Sequence, residues 1–272
     1  MRSFWGRTVV ITGAAGGLGS ALVHAFLAEG ARVLALDRDL AALQQLQTQC
    51  DSTGLAAGQL LTSACDVTLE SSCSDAIALA CSQLGGVDVL VNNAGISHRS
   101  AFADTQVEVL RRVMDVNFFG ALHCTHAALP SLRQKQGLII TISSVAGFAP
   151  LIGRTGYAAS KHALHGFFDS LRTEVEDEGV GVLLACPSFI DTGIDRAALG
   201  ADGQPAVQAR KTTGGQTTPQ SVAQAIVHAG RSNQRQLLFS NTSKLAWWLS
   251  RIWPTRYAAI MKRRLASEIL PP

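Results

Sequence analysis

Tyr157 and Lys161 are the residues whose types and spacing most directly suggest chemistry. They lie four residues apart at the start of an apolar helical pattern, so they share one helix face about one turn apart. A phenol ordinarily titrates at about 10 and is a poor acid or base at neutral pH, but a neighbouring ammonium lowers its pKa. The pair therefore indicates proton exchange with an alcohol or carbonyl oxygen. A Tyr-x-x-x-Lys spacing alone is common and mostly structural.

Two further polar residues could complete such a site. Ser144 follows a predicted strand, and its hydroxyl could donate to a carbonyl and stabilise developing negative charge. Asn117 lies in the middle of a predicted helix, where asparagine is unfavourable, so a specific hydrogen-bonding role is indicated. A serine hydrolase is not indicated, because Ser144 lacks a Gly-x-Ser-x-Gly context and the histidines are typical of helix surfaces or packed interiors.

A glycine-rich turn, T-G-A-A-G-G-L-G over 12–19, follows the first predicted strand and opens a helix. Glycines there permit a tight turn and let backbone N–H groups approach a pyrophosphate at the helix N-terminus. Asp37 ends the second strand, where its carboxylate could accept hydrogen bonds from a ribose and would repel a 2′-phosphate. The sequence therefore favours NAD over NADP. Arg38 could instead bind that phosphate, and Asp37 could be only a turn or helix-cap residue.

The elements that must position these residues are strands alternating with helices. The apolar runs are continuous, which is typical of parallel strands buried on both faces. We predict strands at 8–11, 31–36, 60–64, 87–91, 137–143, 180–186 and 236–239, and helices at about 17–29, 40–49 and in most later gaps. All 272 residues are expected to form a single-domain α/β fold, a Rossmann-type doubly wound parallel β-sheet with helices on both faces.

Two regions depart from this alternation. Residues 191–217 are glycine-rich and lack periodicity, so we expect a mobile substrate loop. Residues 243–272 form a C-terminal extension that mixes aromatic and basic side chains. This extension could contact a membrane surface near the pocket mouth, or pack on its own domain or a second subunit, which is the more common use of such a helix.

Composition excludes several classes of protein. Hydrophobic residues make up 47% and charged residues 16%, which argues against disorder, and no apolar run reaches the roughly 18 residues that span a bilayer. The N-terminus leads directly into a strand, so we expect no signal peptide. A net charge of +3 does not indicate nucleic-acid binding. The six cysteines lack zinc-site spacing, so we expect free thiols, no metal and a cytoplasmic protein, with peripheral membrane attachment as the open alternative.

Together, these motifs resemble the short-chain dehydrogenase/reductase family over about residues 5–240. The matching set, in order, is the 12–19 turn, Asp66-Val67, Asn92-Asn-Ala-Gly95, Asn117, Ser144, Tyr157 with Lys161, and Pro187 with Thr192. An ordered set at matching spacing is far more specific than any single member of it. One departure is Ser188, where the family usually has glycine, and this residue could alter the backbone of the nicotinamide pocket.

The resemblance implies an NAD(P)-dependent oxidoreductase that interconverts a secondary alcohol and a ketone. Tyr157 would then be the general acid/base, and Lys161 would bind the nicotinamide ribose. Ser144 would orient the substrate oxygen, and Asn117 would support a water relay. Cofactor binding is assigned to Thr12, Gly13, Gly17, Leu18, Gly19, Asp37, Arg38, Asp66, Val67, Asn93, Ala94, Gly95, Tyr157, Lys161, Pro187 and Thr192.

The expected substrate pocket is apolar and suits a hydrophobic ketone or alcohol. Its predicted walls are Val145, Phe148, Leu151, Arg154 and Phe189. The resemblance also implies a homodimer or homotetramer. Two alternatives on the same fold remain: a non-catalytic dinucleotide-binding sensor or scaffold, and an isomerase, epimerase or dehydratase.

Overall fold

The computed structural model describes residues 1–54, 58–188, 190, 197–206 and 217–265. Seven parallel strands in this part of the chain form one sheet. They are β1 (Thr8–Thr12), β2 (Arg32–Asp37), β3 (Leu60–Ala64), β4 (Val89–Asn92), β5 (Leu138–Ile142), β6 (Gly181–Cys186) and β7 (Gln236–Leu238). The predicted doubly wound parallel sheet is confirmed.

Helices cover both faces of the sheet. They are α1 (Gly17–Ala28), α2 (Leu40–Ser52), α3 (Glu70–Leu84), α4 (Val107–Met114), α5 (Gly120–Lys135), α6 (Thr155–Val175), α7 (Pro219–Arg231), α8 (Asn241–Ile252) and α9 (Pro254–Leu265). None of the helices in the described ranges is long and apolar enough to cross a bilayer.

Side chains alternate between the two faces along each strand, because successive strand residues point in opposite directions. Val9 and Ile11 of β1 pack in the core beneath α1 and α7. Val10, between them, packs in the second core beneath α3, α5 and α6. A strand in this position needs apolar residues at every place, which explains the continuous apolar runs in the sequence.

The strand order is β3-β2-β1-β4-β5-β6-β7. The chain adds β2 and β3 on one side of β1 and then crosses back to place β4 on the other side of β1. In a doubly wound sheet, the loops that follow β1 and β4 leave toward opposite faces and open a crevice at the carboxyl edge. The glycine turn follows β1, and the Asn-Asn-Ala-Gly segment follows β4. The topology thus brings both motifs to one crevice.

Two details differ from the sequence-based predictions. The fourth strand begins at Val89 rather than Val87, because the Val87 N–H donates to Ser131 Oγ (2.8 Å) instead of a neighbouring strand. Asn117 was expected inside an ordinary helix, but it lies in a π-helical turn over Asp115–Phe119 that joins α4 to α5. Extra residues in a helical turn are typical of functional sites.

The expected mobile loop over 191–217 lies mostly outside the described residues. Within it, residues 197–206 are described and are anchored by Leu199, which packs against Val109 and Val113 of α4. The described part of the C-terminal extension, up to residue 265, belongs to α8 and α9, and the break between these helices falls at Trp253, just before Pro254. Proline disfavours helical backbone in the residue before it, which accounts for the break.

Candidate active site

A cleft of about 610 Å³ lies at the carboxyl edge of the sheet. Its walls come from the segments that follow β1 to β6 and from the first turns of α6. Most predicted cofactor residues line it, namely Gly13, Gly17, Leu18, Gly19, Asp37, Arg38, Asp66, Val67, Asn93, Ala94, Gly95, Tyr157, Lys161 and Pro187. Phe189 and Thr192 lie outside the described residues.

The glycine turn packs so closely that side chains are excluded at two positions. Gly13 has a positive φ of 62°, and a Cβ added there would lie 2.8 Å from Ala94 Cα. A Cβ at Gly19 would lie 2.0 Å from the Gly13 carbonyl oxygen, so α1 rests directly on the turn. Helix α1 starts beside Gly16, which offers no side-chain cap to the first N–H groups. These N–H groups suit the pyrophosphate of a dinucleotide.

Thr12 has a different position from the one predicted. It is buried outside the cleft wall, and its Oγ1 accepts the backbone N–H groups of Asn93 and Ala94 (both 3.0 Å). The Asn93 side-chain amide in turn donates to the carbonyls of Thr12 and Gly13 (2.9 and 3.0 Å). Thr12 is therefore a positioning residue that ties the turn after β1 to the segment after β4.

The Asp37 side chain lines the cleft and also accepts a hydrogen bond from the glycine turn. One carboxylate oxygen accepts the N–H of Ala15 in the glycine turn (3.1 Å), and the other accepts the N–H of Asp39 (3.1 Å). The adjacent Arg38 is exposed and lies near Asp66. Two hydrogen bonds from Thr68 and then the charge of Arg38 lower the pKa of Asp66, although burial opposes them. The Arg38 guanidinium thus has a carboxylate close to it.

Tyr157 and Lys161 face one another from the first turns of α6. The Lys161 Nζ lies 5.7 Å from the centroid of the Tyr157 ring. It donates a hydrogen bond of 2.8 Å to the carbonyl of Ile142, the last residue of β5. Gly95 lies beside this pair, and a Cβ there would lie 3.2 Å from Asn117 Oδ1 and 3.6 Å from Nζ. The two side chains therefore meet in the cleft as their spacing predicts.

The environment of Lys161 is unusual for a lysine. Its side chain is buried, and burial lowers its pKa from 10.5 to about 8, against a small opposing effect of Cys186. Desolvation penalises the charged form of an amine. Perturbed amines in clefts are characteristic of functional sites.

Asn117 does not line the cleft but organises its wall. Its Oδ1 accepts the N–H of Ile96 (2.7 Å), while its Nδ2 donates to the Ile96 carbonyl (2.9 Å) and to Ser160 Oγ (2.9 Å). Ser160 in turn donates to the carbonyl of Tyr157 (2.8 Å). The side chain therefore links the segment after β4 to the first turns of α6.

Ser144 lines the cleft two residues after the end of β5. Its Oγ accepts the N–H of Ala146 (3.1 Å), which leaves the hydroxyl proton available to a substrate oxygen. Of the predicted substrate walls, Leu151 and Arg154 line the cleft. Val145 and Phe148 do not, and the Phe148 ring instead packs edge-on against His165. The prediction that Val145 and Phe148 form part of the wall is therefore corrected.

His98 is a residue whose role sequence reasoning missed. It is fully buried, and its Nδ1 accepts the N–H of Tyr157 at the start of α6 (3.3 Å). Burial, and then the charge of nearby Arg154, lower the His98 pKa to about 4. The neutral ring can therefore act as an acceptor at physiological pH. A histidine in an irregular segment gives no indication in the sequence that its ring will accept a hydrogen bond from a residue 59 positions away.

Ser188 also lines the cleft, where the resemblance leads one to expect glycine. Among the described non-glycine residues, positive φ angles occur only at Gln136 and Asn233. Ser188 thus has a backbone conformation that any residue can adopt, and serine adds no strain there. Sequence reasoning did not predict several further lining residues as part of the site, among them Cys65, Thr68, Arg112 and Asp115.

The family model and the related proteins agree on one protein family. The family model for short chain dehydrogenase matches residues 7–201. The chain is 39% identical over 266 residues to the bovine dehydrogenase/reductase SDR family member 7B, covering 96% of this chain and 82% of the relative. It is 33% identical over 262 residues to the Drosophila melanogaster dehydrogenase/reductase SDR family protein 7-like, covering 95% and 80%.

A solved structure supports the fold. The short chain dehydrogenase/reductase SDR from Burkholderia phymatum, in complex with NAD, superposes with a TM-score of 0.81 at 22% sequence identity. The match covers 100% of this chain and 98% of that one. A likeness at this level of identity establishes the architecture of the chain.

The contact between Gly19 and the turn yields a first prediction. Gly19→Ala should lower the free energy of unfolding by about 1–3 kcal/mol, because its Cβ has no room beside the Gly13 carbonyl. The displaced turn should also weaken dinucleotide binding. Urea denaturation and calorimetric titration measure the two effects. Gly166→Ala is the matched control, since its Cβ meets nothing within 4 Å on α6 and should stabilise the protein by about 0.5–1 kcal/mol. Unchanged stability in Gly19→Ala would contradict the packing described.

The buried ammonium yields a second prediction. Lys161→Met should make the cofactor-free protein more stable near neutral pH, by at most about 3 kcal/mol, the equivalent of the pKa change from 10.5 to about 8. Because the folded pKa lies below the unfolded one, the wild type gains stability as pH rises from about 8 to 10.5. The difference between variant and wild type should therefore shrink over that range. Urea denaturation at about pH 7 and about pH 10 measures it, and a gap that widens with pH would refute the assignment.

Proposed function

The chain belongs to the short-chain dehydrogenase/reductase family, and on that premise we propose that it interconverts a hydrophobic secondary alcohol and its ketone. A bound nicotinamide dinucleotide supplies or accepts the hydride. The observation that carries the proposal is the position of Tyr157 beside the buried Lys161 ammonium, in the same cleft as the glycine turn.

In the proposed reaction, Tyr157 exchanges a proton with the substrate oxygen. The Lys161 ammonium favours the phenolate form of the ring electrostatically, because opposite charges in a desolvated site attract strongly. Ser144, with its hydroxyl proton available, donates to the same oxygen and stabilises the charge that develops on it. Asn117 and His98 act on the backbone that carries Tyr157, so we assign them positioning roles rather than catalytic ones.

The proposed cofactor is NAD rather than NADP. The Asp37 carboxylate lies at the end of β2 in the cleft and would repel a 2′-phosphate; unit charges about 4 Å apart interact by about 4 kcal/mol at an effective dielectric of 20. The competing cation, Arg38, is near the Asp66 carboxylate, which offsets its attraction for a phosphate. Both observations favour a free ribose at this position.

The proposed substrate is apolar near its reacting carbon. The cleft lining includes the apolar residues Ile96, Leu151 and Ile190, and it also includes Arg154, which is buried. Such a lining suits a hydrophobic molecule that carries few polar groups. We further propose that the protein is a cytoplasmic homo-oligomer.

A non-catalytic dinucleotide sensor is the alternative function. A sensor could use Lys161 to bind a ribose, but it has no need of a phenol placed beside that ammonium, because the phenol matters only where a proton is exchanged. The presence of Ser144 in the same cleft also argues for turnover. We therefore do not favour the sensor.

Removal of one oxygen atom tests the proposed acid/base. Tyr157→Phe should lower kcat by about 10²–10⁴-fold, the usual contribution of general acid–base catalysis. Dinucleotide affinity should stay within a few-fold of the wild type. A panel of hydrophobic ketones, monitored by cofactor absorbance, provides the rates, and calorimetry provides the affinity.

Tyr257→Phe is the matched control, because the chain contains two tyrosines and Tyr257 lies on α9, away from the cleft lining. Its activity should equal that of the wild type. Full activity in Tyr157→Phe would overturn the proposed mechanism, and turnover without net cofactor change would point to an isomerase or dehydratase.

Asp37→Asn tests the cofactor preference. This variant keeps an oxygen that can accept the Ala15 N–H but removes the charge, so the ratio of NADPH to NADH affinity should rise at least about tenfold. Paired titrations with both cofactors measure it. Asp39→Asn is the control, because Asp39 is exposed, caps α2 and can be replaced by an equally good capping residue. Tighter binding of NADPH by the wild type would refute the proposal.

A further inference from the structure

The surface of α8 is unusually apolar for a helix that faces solvent. Leu245, Trp248 and Ile252 lie at positions i, i+3 and i+7, which places them in one stripe along the helix. All three are more than half exposed, as is Trp253 at the end of the helix. We call these four residues the α8 face. An exposed stripe of this kind marks an interaction surface.

Cations flank the α8 face, and acidic residues are missing from the sequence around it. Six Lys or Arg residues and no Asp or Glu fall between Asn241 and Leu265. The Arg251 guanidinium lies 3.9 Å from the centroid of the Trp247 ring, and that of Arg256 lies 5.7 Å from the Trp253 ring. These contacts hold positive charge beside the indoles.

The helix pair is anchored to the rest of the protein on its opposite side. Ser240 caps α8 by accepting the N–H of Ser243 (3.0 Å), and Ser243 is itself buried. Tyr257 fixes α9, because it is the buried residue in the middle of that helix. The apolar stripe is therefore not the side that the fold uses to attach these helices.

The α8 face also lies close to the cleft. Helix α8 packs against residues 145–147, the short turn that directly follows Ser144. The face and the cleft are thus at the same edge of the sheet. A surface that the α8 face contacts would be near the mouth of the site.

We propose that the α8 face docks onto the interface of an anionic lipid bilayer. Leu, Ile and Trp side chains would enter the region between headgroups and acyl chains, where indoles are favoured. Lys244, Arg251 and Arg256 would contact the anionic headgroups. This inference goes beyond the proposed oxidoreductase function and does not depend on it.

Charge decides between a bilayer and a second copy of the chain as the occupant. A two-fold interface places the same patch on both partners. The cations beside the face, Lys244, Arg251 and Arg256, would then meet their own copies, with no acidic residue of α8 or α9 to pair with them. Anionic headgroups provide the complementary charge that a second copy lacks.

Vesicle flotation of the full chain, without substrate or cofactor, tests the proposal. We expect binding to phosphatidylcholine vesicles that contain phosphatidylglycerol, weaker binding to phosphatidylcholine alone, and release by salt at about 1 M, where the Debye length is about 3 Å. Trp emission should shift to the blue on binding, since exposed indoles leave water.

Two variants remove the two components of the surface separately. Leu245→Ser with Trp248→Ser and Ile252→Ser should lower the partition coefficient about a hundredfold or more. Lys244→Gln with Arg251→Gln and Arg256→Gln should lower it on the order of a hundredfold on anionic vesicles only. Because the substituted residues are exposed, both variants should fold, and a retained thermal transition verifies this.

Trp5→Ser is the matched control, because this indole is 78% exposed and precedes β1 at the opposite edge of the sheet. It should bind vesicles like the wild type. The proposal is overturned if the wild type does not bind anionic vesicles, or if the α8 variants bind equally well. If sedimentation shows that the apolar variant loses self-association, and the wild type does not bind vesicles, the occupant of the α8 face is a second copy of the chain and the proposal is overturned.

Discussion

The charge on Lys161 is the constraint that fixes the rest of the site. Moving an ammonium out of water costs several kcal/mol even in a relaxed protein interior. The Ile142 carbonyl at the end of β5 and the face of the Tyr157 ring offset part of that cost. Since the carbonyl belongs to the sheet, the ammonium has a fixed position relative to every strand.

Positioning of the Tyr157 ring depends on backbone contacts around it. His98 accepts its N–H, Ser160 donates to its carbonyl, and Asn117 joins Ser160 to the segment after β4. The π-helical turn places Asn117 where its amide can reach both partners. Contacts of this kind hold the backbone from which the ring projects, and a catalytic group needs such support to stay in its productive geometry. The shell is therefore part of the site although it does not line the cleft.

The sequence predicts the strands and the glycine turn of this site better than it predicts the side-chain contacts that hold them in position. Strand positions and the glycine turn follow from local rules, namely apolar runs and the conformational freedom of Gly13, so they are recovered to within two residues. Thr12 and Phe148 were misplaced because their partners, at 93–94 and 165, are far away in the sequence. His98 was missed for the same reason. Contacts between distant segments are set by packing, and a single sequence has no local pattern that encodes them.

The protein departs from the usual distribution of residues in two opposite ways at the same edge of the sheet. A charge is inside, at Lys161, and indoles are outside, at Trp248 and Trp253. Each departure costs something in the isolated chain, since the ammonium loses hydration and the indoles order water around them. Neither is needed to complete the hydrophobic cores, which are closed beneath the helices on both faces. Both departures lie where a substrate would arrive, which is where a cost in stability is retained because function requires it.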